Sequence, residues 1–213
     1  MEVRENADSP LRPEVEAVEW LKDKLLLGIE RRVAALVSNS SLWASASNPG
    51  TKWDNDASDP INDIENARNA VISSIGRDPN VCIISQDTWR YLRKHPDIRD
   101  LFKNEPRLVT TEMFADAFSI EKLLIGKSLV NTAVEGGTAS FSYVWGDMLW
   151  LGYVPARPAL MEPAAGYVFR WGTDEVKRFR EDLEESDVFR VEHSVDEVIS
   201  ASEAGAILSN AIT

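Results

Sequence analysis

The chain has 213 residues, 44% of them hydrophobic, and 35 acids against 23 bases give a net charge of -12. That is enough apolar sequence for one large domain or two small ones, and a mean hydropathy of -0.25 is that of a soluble protein. The acidic balance argues against a sequence reader of nucleic acid, which presents a basic face, but is compatible with a wall that encloses nucleic acid without sticking to it.

No apolar run is long enough to span a bilayer, so no membrane partner is expected. The charged N-terminus carries no secretory segment. The single cysteine, Cys82, allows no intrachain disulfide, and its neighbours Val81, Ile83 and Ile84 read as a buried strand. Synthesis in a cytoplasm is the simple inference.

A polar lead-in, Met1 to Arg12, precedes a long predicted helix, Pro13 to Asn39. Val15, Val18, Leu21, Leu25, Ile29, Val33 and Leu36 recur three or four apart and share one face. Pro13 suits the first turn, and Glu14, Glu16 and Glu19 favour the positive end of the helix. Gly28 weakens it by about 1 kcal/mol relative to Ala, so packing must hold its length. Strands beyond Val188 are expected to cover Val18, Leu25 and Ile29.

Leu42 to Pro60 reads as a loop with a turn at Asn48-Pro49-Gly50. Trp43 and Trp53 flank it, and the polar loop has little apolar sequence to bury them. Exposed aromatics of this kind mark contact sites and can each contribute about 2 kcal/mol or more to binding. Both are therefore candidate self-association residues.

Asp59-Pro60 opens a second helix, Ile61 to Ile75, which Gly76 stops. Asp78-Pro79-Asn80 turns into a strand, Val81 to Ile84, whose continuous apolar run implies burial on both faces. Ser85 or Asp87 caps the next helix, interrupted at His95-Pro96. A short helix over Asp97 to Lys103 and an extended Leu108 to Thr110 follow. Thr110 and Thr111 then precede a helix from Glu112 to Ile120.

Lys122 to Val130 reads as one strand, and Thr132 to Ser140 as a small-residue loop. Phe141 to Val154 gives the strongest hairpin signal, turning at Gly146-Asp147. Gly166 to Trp171 is a strand. Thr173 to Glu185 is charged, and helical at most in part. Val188 to Ser200 alternates as a strand does, and Ala206 to Ile212 closes the chain as a last strand. The result is a mixed α/β or α+β chain without repeats.

Candidate chemistry is sparse. Gly126-Lys127-Ser128 resembles the end of a phosphate-binding loop, but Glu121 stands where the first glycine is needed. His95 and His193 are the only histidines and leave little for a metal site. Pairing Cys82 with His95 requires an exposed thiol, against the pattern of its neighbours. Asp54, Asp56 and Asp59 suit an Asx-rich loop better than a cation site. No Gly-x-Ser-x-Gly elbow occurs. No catalytic, cofactor or metal residue is assigned.

Four stretches, Thr51 to Val71, Gly76 to Ile98, Val109 to Ala133 and Val144 to Pro158, together resemble the major capsid proteins of tailed bacteriophages. Their ordered signals are Lys-Trp, Ser-Asp-Pro, Pro-Asn, His-Pro, Leu-Ile-Gly, Val-Trp-Gly and Tyr-Val-Pro.

The resemblance implies an α+β fold of the Hong Kong ninety-seven type. Pro13 to Asn39 would be the spine helix of a peripheral domain, Ile61 to about Trp171 the axial domain, and Val188 to Ile212 strands returning to the spine. In domain terms this is 1–43, 44–175 and 176–213. It further implies a structural, non-enzymatic subunit that self-assembles as pentamers and hexamers into a shell around double-stranded DNA. Scaffold and portal proteins would be further partners, and the virion capsid its location after synthesis in a bacterial host. Host-encoded cages share the fold; a small α/β enzyme is the other alternative. Family members carry an N-terminal arm and an extended loop before the spine helix, and only a short lead-in stands here. Oligomers no larger than hexamers are therefore expected.

Overall fold

The computed structural model describes residues 12–103, 108–159, 161–181, 183 and 185–213. The lead-in before Arg12 lies outside them. The described chain forms two compact units. One joins residues up to Arg32 with Val168–Val198, and the other joins Val33–Tyr167 with Ile199–Thr213.

The first helix, α1, is Pro13–Val37, with Glu14 and Glu16 in its first turn. It stops two residues before the expected Asn39, which instead caps a single tight turn, Ser40–Leu42, by accepting from the Ser41 N–H. The indole N–H of Trp43 donates to the Val37 carbonyl at 2.9 Å and satisfies one orphan acceptor of the helix end. A short strand within the expected loop, β1, is Ser45–Ser47.

The second helix, α2, is Pro60–Ile75. Asp59 caps it, accepting from Asn62 N, Pro60 fills the first turn, and Gly76 ends it at φ 65°. Strand β2, Val81–Ser85, runs into α3, Gln86–Leu92, capped by Ser85. Helix α4, Pro96–Leu101, is capped by the His95 ring, and α5, Thr111–Ala117, by Thr110.

The expected strand over Lys122 to Val130 is two: β3, Lys122–Gly126, and β4, Leu129–Asn131. The expected hairpin at Gly146-Asp147 does not form. Strand β5, Phe141–Tyr143, pairs antiparallel with β4 across the small-residue loop. Strand β6, Leu149–Gly152, is buried at every residue and therefore needs cover on both faces. It pairs with β2 and with β9, Gly205–Leu208.

The sheet order is β1-β9-β6-β2-β3, with β1–β9 and β2–β3 parallel. The last strand was expected beside the long helix. Its run Gly-Ala-Ile-Leu is wholly buried, and a central position is what such a run requires.

Alternation sorts this sheet into two apolar layers. Cys82, Ile84, Leu149, Leu151, Ala206 and Leu208 point to the layer holding α2 to α5. Val81, Ile83, Trp150 and Ile207 point to the other, with Trp43, Trp145 and Ala34.

The other unit holds most of α1 with two long strands, β7 (Gly166–Glu181) and β8 (Ser186–Ile199), which form a two-stranded sheet. β8 matches the expected alternating strand. β7 corrects the partly helical expectation for Thr173 to Glu185. The break between the two compact units falls at Tyr167/Val168, near the start of β7.

Candidate functional site

Trp43 and Trp53 are not surface residues. Trp43 is 6% exposed and packs on Trp150 at 5.3 Å between ring centroids; Trp53 is 1% exposed. The Trp53 indole donates to Asp63 at 2.9 Å, and its backbone N–H donates to the Ala211 carbonyl at 2.8 Å. Both rings tie the loop to its own chain. The loop looks polar in sequence because the apolar side chains that bury these rings lie elsewhere: Trp150 for Trp43, and for Trp53 the core layer around α2.

Gly126 ends β3 and the ring of Trp145 lies against it; Ser128 accepts from Val144 N at 2.9 Å. A strand follows, not a helix, so the anion-binding helix end of a phosphate loop is absent at this position. Asp59 is occupied as a helix cap. Among the described residues no three His, Cys, Asp or Glu side chains are placed to hold a metal.

The buried ring of His95 does lie against Ser58 and near Asp97, at 3.0 Å and 3.8 Å. The hydrogen bonds assign its protons. Nδ1 accepts from the Asp97 backbone N–H at 3.3 Å, so Nε2 carries the hydrogen and faces Ser58 Oγ and the Asn55 carbonyl. Ser58 Oγ in turn donates to that carbonyl at 2.8 Å. This tautomer has no free ring nitrogen to take a serine proton. The group is a staple between the 55–58 turn and α4.

Cys82 is fully buried, and burial pushes its thiol above the ordinary range. His193 stands on β8, where it lines an open groove of about 690 Å³ with Leu25, Trp171 and Val191.

β7 carries a run of exposed apolar side chains. Every residue from Val168 to Glu181 is exposed. Val168, Phe169, Trp171, Val176 and Phe179 are all among the exposed large apolar residues, Trp171 at 85%. The sequence marks its first part, Gly166 to Trp171, as a strand but not its continuation, because the charged run from Thr173 to Glu181 carries only Val176 and Phe179 and shows no strand alternation.

Comparison with known proteins agrees with this architecture. Residues 45–126 match the family described as Phage major capsid protein E. The chain is 26% identical over 180 residues to the major capsid protein of Burkholderia phage BcepMu, covering 80% of this chain and 57% of that protein. It is 27% identical over 223 residues to the major capsid protein of Pseudomonas phage JBD67, covering 98% of this chain and 70% of that protein. The chain thus spans less than two thirds of the BcepMu protein's length. In fold it is similar to the crystal structure of a phage-related protein from Bordetella bronchiseptica RB50, with a TM-score of 0.83, 24% identity, and coverage of 98% of this chain and 72% of that one. The α+β chain described above is thus similar to phage major capsid proteins, over residues 45–126 to the family model and over most of its length to the two phage proteins.

Proposed function

We propose that this chain is a structural subunit of a phage or prophage capsid that self-associates into a shell around double-stranded DNA. The observation that carries this reading is the pair of relatives named major capsid protein, one of which aligns with 98% of this chain. We take the fold to be of the Hong Kong ninety-seven type. On that reading α1 with β7 and β8 is the peripheral domain, α1 its spine, and the five-stranded sheet with α2 to α5 is the axial domain. The subunit works by geometry, through many modest contacts between copies and without catalysis. Scaffold and portal proteins are its further partners, and the virion capsid is its location.

Sedimentation across protein concentration and salt tests the reading. Concentration-dependent association towards pentamer- or hexamer-sized species is expected, strengthened by salt because subunits of net charge -12 repel one another. Negative-stain microscopy of the same samples should show rings of that size. A strict monomer under all conditions would overturn it.

A further inference from the structure

We propose that β7 is an intersubunit strand, whose free edge pairs antiparallel, about a twofold axis at Val176, with β7 of a second copy of this chain. The proposal takes from the capsid reading only that copies meet one another.

Three observations point to it. First, β7 and β8 make a sheet of two strands, so among the described residues the far edge of β7 has no strand partner. A two-stranded ribbon is marginal by itself; α1 supports it within its unit, and a third strand would support it further. Second, β7 is long, free of proline and exposed throughout, and it displays Trp171, Val176 and Phe179. Proteins that stay monomeric blunt such an edge with bulges, prolines, charges or shortness, because it is a template for another chain; β7 bends at Gly172, φ 75°, but keeps its length beyond it, and its charges are ones that a second copy can match. Aromatic side chains present about 150–250 Å² each, so this strand supplies a large part of the roughly 800 Å² per partner that a specific interface buries.

Third, the middle of the strand is a charge palindrome: Asp174, Glu175, Val176, Lys177, Arg178. In an antiparallel pair, directly opposite residues point to the same face, so a twofold axis must pass through one residue and its copy. With the axis at Val176, the two valines meet. Glu175 then faces Lys177 of the second copy, Asp174 faces Arg178, and both pairs occur twice. Every acid meets a base. Within one chain Lys177 already reaches Glu175 at 2.7 Å, so the same side chains are in position to exchange partners across the axis. Moving the axis by one residue, to Glu175 or Lys177, puts like charges together at the centre.

The partner strand is β7 and not β8. β8 carries Arg190 against Asp187, Glu192, Asp196 and Glu197, so it has no such inverted sequence. Its Val188, Phe189, Val191 and Val195 are half-buried, so the bare apolar area is on β7.

Disulfide trapping tests the axis. Native Cys82 is buried and silent. Val176→Cys should give a cross-linked dimer on oxidation, because each cysteine meets its own copy. Phe179→Cys should not, because the two copies of residue 179 would stand six residues apart in register, about 20 Å. The charge pattern gives a second measurement. Lys177→Glu with Arg178→Glu makes the stretch all acidic, and Asp174→Lys with Glu175→Lys makes it all basic. Each double variant alone should pair about tenfold or more weakly than wild type, and an equimolar mixture should recover pairing. If wild type assembles while Val176→Cys stays uncross-linked, or while the double variants pair as wild type does, the β7 axis is wrong and the capsid reading stands. A wild type that never associates overturns both.

Discussion

A β-carbon placed on Gly205 would fall 2.5 Å from Cζ3 of Trp43 and 2.9 Å from Nε1 of Trp150. Gly205 has φ -142°, an extended conformation open to any residue, so space alone requires glycine there. Two indoles from residues more than fifty positions away in the chain close over the start of β9. Gly205→Ala should cost about 1–3 kcal/mol, the usual price of overpacking a dense core. Urea unfolding checks this, and adding Trp43→Leu should return part of the loss. An unchanged midpoint for Gly205→Ala would mean that the rings move aside freely.

Trp53 carries the second prediction. It is buried and bonded to Asp63, so Trp53→Ala should destabilise the monomer by about 3–5 kcal/mol. Trp53→Phe keeps most of the apolar volume and should lose about 1 kcal/mol with the hydrogen bond. Self-association of the folded Phe variant should match wild type. Weakened association at unchanged stability would restore an interface role to this ring.

Much of the fold was legible wherever a local device decides the structure. Asp59 with Pro60, Gly76, Ser85, Thr110 and His95-Pro96 mark helix ends by chemistry within a few residues, and each end lies where that chemistry puts it. What was not legible depends on distant partners. β9 is central because β1 and β6 flank it, and its register partners in β1 lie about 160 residues earlier. The hairpin at Gly146-Asp147 failed for the same reason, since the Asp147 carbonyl bonds Ala211 near the chain end. The continuation of β7 beyond Trp171 escaped because a strand exposed on both faces has no burial to impose alternation. The two tryptophans misled because their cover comes from elsewhere in the chain.

The third prediction concerns acid stability. Arg32 grips Glu197 through Nε at 3.0 and 3.2 Å and through Nη2 at 2.8 Å. The hydrogen bonds hold the Glu197 carboxyl below the usual carboxylate range, against the opposing effect of its burial. A carboxylate with a lowered native pKa stabilises the fold above its unfolded pKa, about 4.3 for Glu. That contribution is lost as pH falls through the lowered native value. Arg32→Ala should therefore be less stable than wild type at neutral pH, and the gap should close below about pH 4. Urea midpoints measured across that range check it. A gap independent of pH would show that the pair contributes through packing alone.

Cys82 gives the fourth prediction. Its thiol is fully buried within the sheet, between Val81 and Ile83, and burial disfavours the thiolate. A maleimide should leave the native protein unlabelled and react fully in denaturing urea. The labelling rate at intermediate urea should follow the fraction unfolded. Fast native labelling would place Cys82 outside the core.

The last prediction concerns Ser58, His95 and Asp97, which have the residue types and part of the spacing of a hydrolytic triad. The proton positions deny them the chemistry. A triad needs the ring nitrogen nearest serine free to accept, with the other N–H donating to the carboxylate. Here Nδ1 accepts the Asp97 backbone N–H, so Nε2 is the protonated nitrogen and points its hydrogen towards Ser58 and Asn55. Ser58 spends its own hydrogen on the Asn55 carbonyl, and both side chains are buried. A fluorophosphonate probe should therefore leave Ser58 unmodified. Ser58→Ala should cost about 1 kcal/mol of stability and nothing else. His95→Ala should cost more, because it removes the α4 cap and opens a cavity together. His95→Asn should recover part of that loss, since an amide oxygen can still accept from Asp97 N as an N-cap. Stoichiometric labelling of Ser58, abolished in His95→Asn, would reverse the proton assignment and make the staple a nucleophile.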